Sequence, residues 1–241
     1  MAESSDVKVL GTWASPVVLR ARIALHLKSV NYEYVEENFF QGKSELLLKS
    51  NPVYKKVPVL LHGTNSIPES LIILQYIDEV WSSAAPPILP TDPYECAVSR
   101  FWAAYVDDKL LPALRDLFVA EAEEAKTAAL ARVEEGLALL EEEYGKMSKG
   151  KRFFGGDEIG YLDIVIGCFL VWIKVIEKFN EVKVIDEAKT PGLFQWADGF
   201  CSHVAVKDVL PDVEALAHFS LKVRAVFLKA KAIDSTDDTH E

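Results

Sequence analysis

The chain changes its spacing pattern at a proline-rich stretch. Residues 82–93, with the sequence SSAAPPILPTDP, contain four prolines, which interrupt helices and strands and mark a boundary between folding units. Before this stretch, apolar residues alternate between strand and helix spacing, whereas almost every segment after it has helical spacing. The sequence therefore predicts a mixed α/β unit followed by an all-helical unit.

The first unit is predicted to have the order β-α-β-α-β-β-α. This order is too short for a doubly wound domain and is typical of a small mixed sheet covered by helices. The predicted strands cover residues 7–13, 32–37, 57–62 and 66–67, with a tight turn at 63–65, and the predicted helices cover 16–29, 44–50 and 69–80.

The second unit is predicted to consist of five long helices, over residues 94–119, 122–147, 161–178, 191–208 and 212–231. Residues 234–241 are acidic and lack apolar side chains, which predicts a disordered tail. We therefore expect a sheet domain over 1–82, a linker over 83–93, a helical domain over 94–233 and the tail.

Charge and cysteine content exclude several classes of partner. The net charge of −11 over 241 residues argues against nucleic acid and anionic membranes. Cys96, Cys168 and Cys201 are far apart, form no metal or disulfide pattern and fit a reducing, cytoplasmic compartment. The longest apolar run, residues 164–173, is too short to span a bilayer, and the acidic first six residues do not resemble a signal peptide.

Ser15 occupies the predicted junction between the first strand and the first helix. Pro16 follows it at the first helical position, where a missing N–H costs nothing. The hydroxyl has two interpretations. It either caps the helix, or it donates a hydrogen bond to an anion in the positive potential of the helix N-terminus.

Pro58 lies inside a predicted strand, where proline cannot donate to a ladder. One interpretation is an ordinary trans proline on an edge strand. The other is a cis Val57–Pro58 bond, with the backbone of Val57 turned outward to pair with an extended peptide.

Glu69 and Ser70 open the last helix of the first unit. They either cap this helix or bind an amino acid zwitterion, with the carboxylate on the ammonium group and the hydroxyl and helix N-terminus on the carboxyl group. Lys43, Lys55 and Lys56 are either solvated surface charges or ligands for an anion.

Taken together and in their order along the chain, these motifs resemble those of the glutathione transferases, and most closely those of the plant tau class. The resemblance covers nearly the whole chain apart from the tail. The matching stretches are residues 13–16 (WASP), 43–60, 69–79 and 153–164 (FFGGDEIGYLDI).

The resemblance implies a thioredoxin-like domain, an all-helical domain, and conjugation of glutathione to hydrophobic electrophiles, as in xenobiotic detoxification. Glutathione is then a co-substrate, with no metal and no tightly bound cofactor, and the chain forms a homodimer. A glutathione peroxidase side activity is also implied.

The resemblance also assigns roles to individual residues. Ser15 matches the catalytic serine, whose hydrogen bond to the glutathione sulfur stabilises the thiolate. The remaining matches are Lys43 and Lys56 at the glycine carboxylate, Val57 and the cis-proline Pro58 at the cysteinyl unit, Glu69 and Ser70 at the γ-glutamyl end, and Asp163 in the helix-capping motif, with Gly160 replacing the usual serine or threonine. Val17 and Tyr54 depart from the residues common in the family.

The electrophile is expected against the helical domain. Tyr105 and Trp172 are the favoured contacts, and Trp102 is expected in the core. The full candidate set is Trp13, Tyr105, Lys109, Phe118, Trp172 and Phe219, each of which has an alternative interpretation as a core or surface residue.

Two alternative functions, and the role of one pair of charged residues, remain open at this point. A carrier of hydrophobic molecules would have the same fold. A thiol oxidoreductase would need a cysteine where Ser15 stands, and no cysteine precedes Cys96. Glu79 and Arg100 are either an ion pair across the dimer or two exposed charges.

Overall fold

The computed structural model of the chain describes residues 6–237. Its first third contains one four-stranded sheet in the order β2-β1-β3-β4. Strand β1 is parallel to β2 and antiparallel to β3, and β3 is antiparallel to β4. The predicted element order and mixed sheet are confirmed. The elements are β1 (Val7–Gly11), α1 (Pro16–Leu27), β2 (Glu33–Glu36), α2 (Glu45–Ser50), β3 (Val59–His62), β4 (Asn65–Pro68) and α3 (Ser70–Val80).

Successive side chains of a strand point to opposite faces of the sheet, and helices pack on both faces. Val9 and Leu60 belong to the main core together with α1 and α3, whereas Leu10 and Val59 pack with Leu47 of α2. Strand β3 begins two residues later than predicted because a proline at position 58 has no N–H to donate.

The helical domain is more interrupted than the spacing pattern predicted. Its elements are α4 (Pro93–Tyr105), a π-helical segment (Val106–Leu110), α5 (Leu111–Val119), α6 (Glu123–Ser148), α7 (Tyr161–Gly167), α8 (Leu170–Asn180), α9 (Pro191–Ser202), α10 (Val204–Lys207) and α11 (Val213–Asp237). Within residues 6–237, none of these helices is long and apolar enough to cross a membrane.

Three of the predicted helices are each divided in two. The first contains the π-helical segment because Pro112 cannot donate to the carbonyl oxygen of Asp108, so the regular ladder cannot continue. The second divides at Cys168–Phe169 and the third at His203, whose backbone is extended.

Helix α11 continues to Asp237, so the prediction of disorder from residue 234 is wrong for residues 234–237. Adding a residue to an existing helix costs little, and this segment contains no glycine or proline to stop it. Residues 238–241, the rest of the predicted tail, lie outside the described residues.

Asp78 fixes the connection between the two domains. Its carboxylate accepts hydrogen bonds from the backbone amides of Ile88 and Leu89, at 2.8 and 3.0 Å. It also lies 2.8 Å from the ammonium group of Lys28, which is buried. These contacts hold the proline-rich connection against the sheet domain.

Asp163 is a buried capping residue. Its carboxylate accepts hydrogen bonds from the amides of Phe154, Gly155 and Gly160 and from the indole of Trp196, at 2.7–2.9 Å. These hydrogen bonds lower the pKa of Asp163, but the effect of its burial is larger and raises the pKa to about 6.

Close packing of the backbone explains why position 160 is a glycine. A Cβ atom there would lie 2.9 Å from the Cα of Gly155. The close approach of these two backbones explains why this chain lacks the serine or threonine that the resemblance led us to expect.

Candidate active site

A cavity of about 660 Å³ lies between the two domains. Its sheet-domain wall carries polar and cationic groups, whereas its helical wall is mainly apolar. It can therefore hold a polar molecule beside an apolar one. The lining residues are Thr12, Ala14, Ser15, Pro16, Val17, Glu37, Asn38, Phe39, Gln41, Lys43, Leu47, Lys55, Lys56 and Val57 on the first wall, and Leu111, Leu114, Arg115, Phe118, Phe169, Trp172, Ile176, Phe219, Val223 and Phe227 on the second.

Ser15 lines this cavity at the N-terminus of α1. It has the extended backbone of an N-cap residue, but its side chain makes no capping hydrogen bond. Pro16 at the next position has no amide N–H, so the first helical residue leaves no donor unsatisfied. The hydroxyl is therefore available to a molecule in the cavity, in the positive potential of the helix N-terminus.

The loop before Ser15 is held by both domains. The amide of Trp13 donates to the carboxylate of Glu36, at 3.1 Å. The carbonyl oxygen of Ala14 accepts a hydrogen bond of 2.7 Å from the indole nitrogen of Trp172. Ser15 is therefore positioned by the sheet and by α8 together.

The three predicted lysines, Lys43, Lys55 and Lys56, all line the cavity. The loop that carries the last two is organised by the buried side chain of Asn51. This side chain donates to the carbonyl oxygen of Lys56 at 2.9 Å and accepts from the amide of Tyr54 at 3.1 Å. Asn51 lies in one of the stretches that match the family, but its type and position alone predict no role for it.

Val57 also lines the cavity, and the Val57–Pro58 peptide bond is cis. Within the described part of the chain, the Val57 amide and carbonyl have no backbone hydrogen-bond partner. An extended peptide could therefore pair with this backbone.

Glu69 and Ser70 are close to this backbone although they do not line the cavity. Pro68 pairs with Val59 in the β3–β4 ladder, so the next position places Glu69 opposite Pro58. Glu69 has a φ of 71°, a strained conformation for a residue with a side chain, and its carboxylate is exposed.

The Ser70 side chain is held by Arg20 of α1. The fully buried guanidinium of Arg20 donates to the Ser70 hydroxyl at 3.1 Å and to the carbonyl oxygen of Val165 at 3.2 Å. It also forms a bidentate pair with Asp107, at 2.5 and 2.9 Å. Arg20 thus connects the N-terminus of α3 to the helical domain, a role that sequence analysis missed because the partners are distant in the chain.

Three of the six candidate contacts for the electrophile, Phe118, Trp172 and Phe219, form part of the helical wall. The rings of Phe118 and Trp172 meet edge to face with their centroids 5.5 Å apart. Trp13 does not line the cavity but packs behind Phe219, at a centroid distance of 5.1 Å.

Tyr105 and Lys109 are not among the residues that line the cavity. Tyr105 packs against Trp102 and lies near Gly136 of α6. The face of α5 that meets the cavity carries Leu111, Leu114, Arg115 and Phe118, at i, i+3, i+4 and i+7, and the two predicted residues precede this helix.

The cysteines lie outside the cavity lining. Burial raises the pKa of Cys168 to about 12 and also raises the pKa of Cys201. Burial therefore disfavours the thiolate, the reactive form, at both positions.

Comparisons with known proteins agree with this arrangement. The family model of the glutathione S-transferase N-terminal domain matches residues 5–79, and that of the C-terminal domain matches residues 106–203. The chain belongs to the glutathione S-transferase family. Its relatives place it in the tau class, so the expected fold and glutathione transferase activity are confirmed.

Two Arabidopsis thaliana proteins are among these relatives. Glutathione S-transferase U17 is 57% identical over 220 residues, 91% of this chain and 96% of the relative. Glutathione S-transferase U16 is 55% identical over 227 residues, 93% of this chain and 97% of the relative.

Two solved structures are also similar. A tau class glutathione S-transferase from mango, Mangifera indica, has a TM-score of 0.86 and 59% identity, and the match covers 89% of this chain and 97% of that one. Rice GST1 in complex with glutathione has a TM-score of 0.84 and 34% identity, with 94% and 99% covered.

Proposed function

We propose that Ser15 activates the thiol of glutathione for attack on a hydrophobic electrophile. The main support for this role is that the Ser15 hydroxyl makes no capping hydrogen bond and that Ser15 lines the cavity at a helix N-terminus. A hydrogen bond from this hydroxyl stabilises the thiolate relative to the thiol, and the helix N-terminus adds to the effect. The thiolate then attacks an electrophilic carbon, the C–S bond forms, and the leaving group departs with its electron pair.

The polar wall of the cavity suits the rest of glutathione. We infer that Lys43 and Lys56, with Lys55 beside them, hold the glycine carboxylate, and that the Val57 backbone pairs with the cysteinyl unit. Glu69 then takes the ammonium group, and Ser70 and the N-terminus of α3 take the γ-glutamyl carboxylate. Support comes from the positions of these groups around Ser15 and from the glutathione that rice GST1 holds.

The apolar wall suits the electrophile. Phe118, Trp172 and Phe219 offer aromatic surface beside Ser15, which brings a xenobiotic electrophile next to the sulfur. This arrangement supports a role in detoxification. The same thiolate could attack a hydroperoxide, in which case a second glutathione completes the reduction to an alcohol, water and glutathione disulfide.

The proposal is tested by conjugation of glutathione to 1-chloro-2,4-dinitrobenzene. Ser15→Ala should lower kcat by about 10²–10³-fold, because one donor to the developing anion is lost. Ser66→Ala, which removes an exposed hydroxyl from β4, is the matched control and should keep full activity. Wild-type inactivity with intact glutathione binding would favour the carrier function instead.

We also infer a homodimer in which the sheet domain of one subunit contacts the helical domain of the other. Exposed apolar side chains on both domains support it: Ile72 on α3 is 54% exposed and Phe101 on α4 is 62% exposed. Arg100 donates to Gln75 of α3 within the chain, at 3.0 Å, so these two surfaces adjoin. Its predicted pairing with Glu79 across the dimer remains a proposal. Light scattering of Phe101→Glu should show a shift from dimer to monomer.

We place the protein in the cytoplasm, because its three cysteines remain free thiols, as expected in a reducing compartment. Fractionation of cells that express the tagged full chain tests this location.

A further inference from the structure

Arg115 is the one charged residue that the described helical wall of the cavity contains. It lies on α5 between Leu111 and Phe118, which line the cavity with it. The rest of that wall is apolar, and it includes Trp172 and Phe219. A cation in this position is unexpected for a site that binds only neutral apolar molecules.

The side chain of Arg115 has no hydrogen bond or ion pair with residues 6–229, the part of the chain whose side chains are described. Its own helix offers no acid one turn away, because Leu111, Pro112, Phe118 and Val119 occupy those positions. The adjacent acid, Asp116, is paired with Arg132 at 2.9 Å.

Glu214, the acid in the part of α11 whose side chains are described, pairs with Lys178 at 2.6 Å. Arg115 is therefore an exposed residue without a partner among residues 6–229, and its guanidinium can meet an anion inside the cavity.

The lysines across the cavity belong to a different wall. Lys43, Lys55 and Lys56 stand on the sheet domain, where the proposed function assigns them to glutathione. The acid in the lining, Glu37, already accepts a hydrogen bond of 2.6 Å from Ser44. Although the chain as a whole is acidic, this cavity therefore attracts anions, and Arg115 is left for the second substrate.

We propose that the preferred electrophiles of this enzyme are apolar molecules that carry a carboxylate or a similar anionic group, and that Arg115 determines this preference. The apolar body packs on Phe118 and Trp172, and the anionic group pairs with the guanidinium. A planar guanidinium suits this task because it can donate two parallel hydrogen bonds to a carboxylate. The inference rests on the proposed function, and the carboxylate itself takes no part in the reaction.

The test compares two electrophiles that differ only in charge, 4-chloro-3,5-dinitrobenzoate and 4-chloro-3,5-dinitrobenzamide. In both, the thiolate attacks the carbon that carries chlorine, a C–S bond forms, and chloride leaves. Arg115→Met keeps the length of the side chain and removes its charge, whereas Arg115→Lys keeps the charge. Lys146→Met is the matched control, because it removes an exposed charge from a residue that does not line the cavity.

At saturating glutathione, Arg115→Met should lower kcat/KM for the benzoate by about five- to twentyfold and change that for the amide less than about twofold. Arg115→Lys should retain part of the preference, and the control should change neither substrate. An equal loss for both substrates, or no loss for the benzoate, would overturn the inference.

Failure of the proposed function would look different. If the wild type conjugates neither electrophile, calorimetry with unreactive 3,5-dinitrobenzoate and 3,5-dinitrobenzamide replaces the rate measurement. Weaker binding of the benzoate alone to Arg115→Met supports the subsite, and equal binding to both proteins overturns it.

Discussion

The indole nitrogen of Trp172 lies 2.7 Å from the carbonyl oxygen of Ala14 and donates a hydrogen bond to it. Trp172 belongs to α8 of the helical domain, and Ala14 immediately precedes Ser15. The same indole ring lines the apolar wall of the cavity. One side chain therefore lines the proposed electrophile site and holds the loop that carries the proposed thiol-activating hydroxyl.

Trp172→Phe should lower kcat by about three- to tenfold, since it removes a hydrogen bond of about 1 kcal/mol while keeping an aromatic ring. The KM for glutathione should change little, because the lysines and Val57 are not involved. Steady-state kinetics with 1-chloro-2,4-dinitrobenzene measure both effects, and thiolate absorbance against pH at saturating glutathione gives the pKa of the bound thiol. Phe118→Leu, which alters the wall without touching the loop, is the comparison. An equal effect of both variants on the pKa of the bound thiol would contradict a positioning role for Trp172.

Asn51→Ala should weaken glutathione binding more than it slows the reaction. The substitution removes the two side-chain hydrogen bonds that order the loop between Asn51 and Val57, which carries Lys55 and Lys56. We expect the KM for glutathione to rise by about five- to tenfold, with kcat reduced less than about twofold. Asn180→Ala, which removes a local contact at the end of α8, is the control. A selective fall in kcat would show that Asn51 acts on Ser15 rather than on the loop.

Asp163 should give the stability of the protein a specific pH dependence. Its pKa is raised from 3.8 to about 6 in the folded chain, so the folded state binds a proton more readily than the unfolded state between these values. The contribution of this residue to the free energy of unfolding therefore rises as the pH falls from about 6 to about 4, by about 1–3 kcal/mol. Urea unfolding at fixed protein concentration, for the wild type and Asp163→Asn, measures it. Identical pH profiles for the two proteins would contradict the raised pKa.

The sheet domain was predictable because its signals are local. Alternating apolar residues mark each strand, and Ser15, Val57 and Glu69 stand at strand or helix ends that the spacing pattern locates. Two parts of this domain were not predictable. The hydrogen bonds of Asn51 depend on the folded loop, and the contacts of Arg20 join residues that are far apart in sequence.

The electrophile site was less predictable because it depends on which face of each helix meets the cavity. Tyr105 and Lys109 have suitable side chains, but they precede the face of α5 that carries Arg115 and Phe118. Tertiary packing and the π-helical segment before α5 set this orientation. Periodicity identifies an apolar stripe but does not say whether it meets a cavity or another helix.

If Ser15 stabilises the thiolate of bound glutathione, titration of that thiol should show it. Ultraviolet absorbance of the thiolate, followed against pH at saturating glutathione, gives the pKa in the wild type and in Ser15→Ala. We expect a wild-type pKa well below the ordinary thiol value of about 8.5 and a return toward that value in the variant, with glutathione still bound. An equally low pKa in Ser15→Ala would contradict it and would leave the helix N-terminus, rather than the hydroxyl, as the activating group.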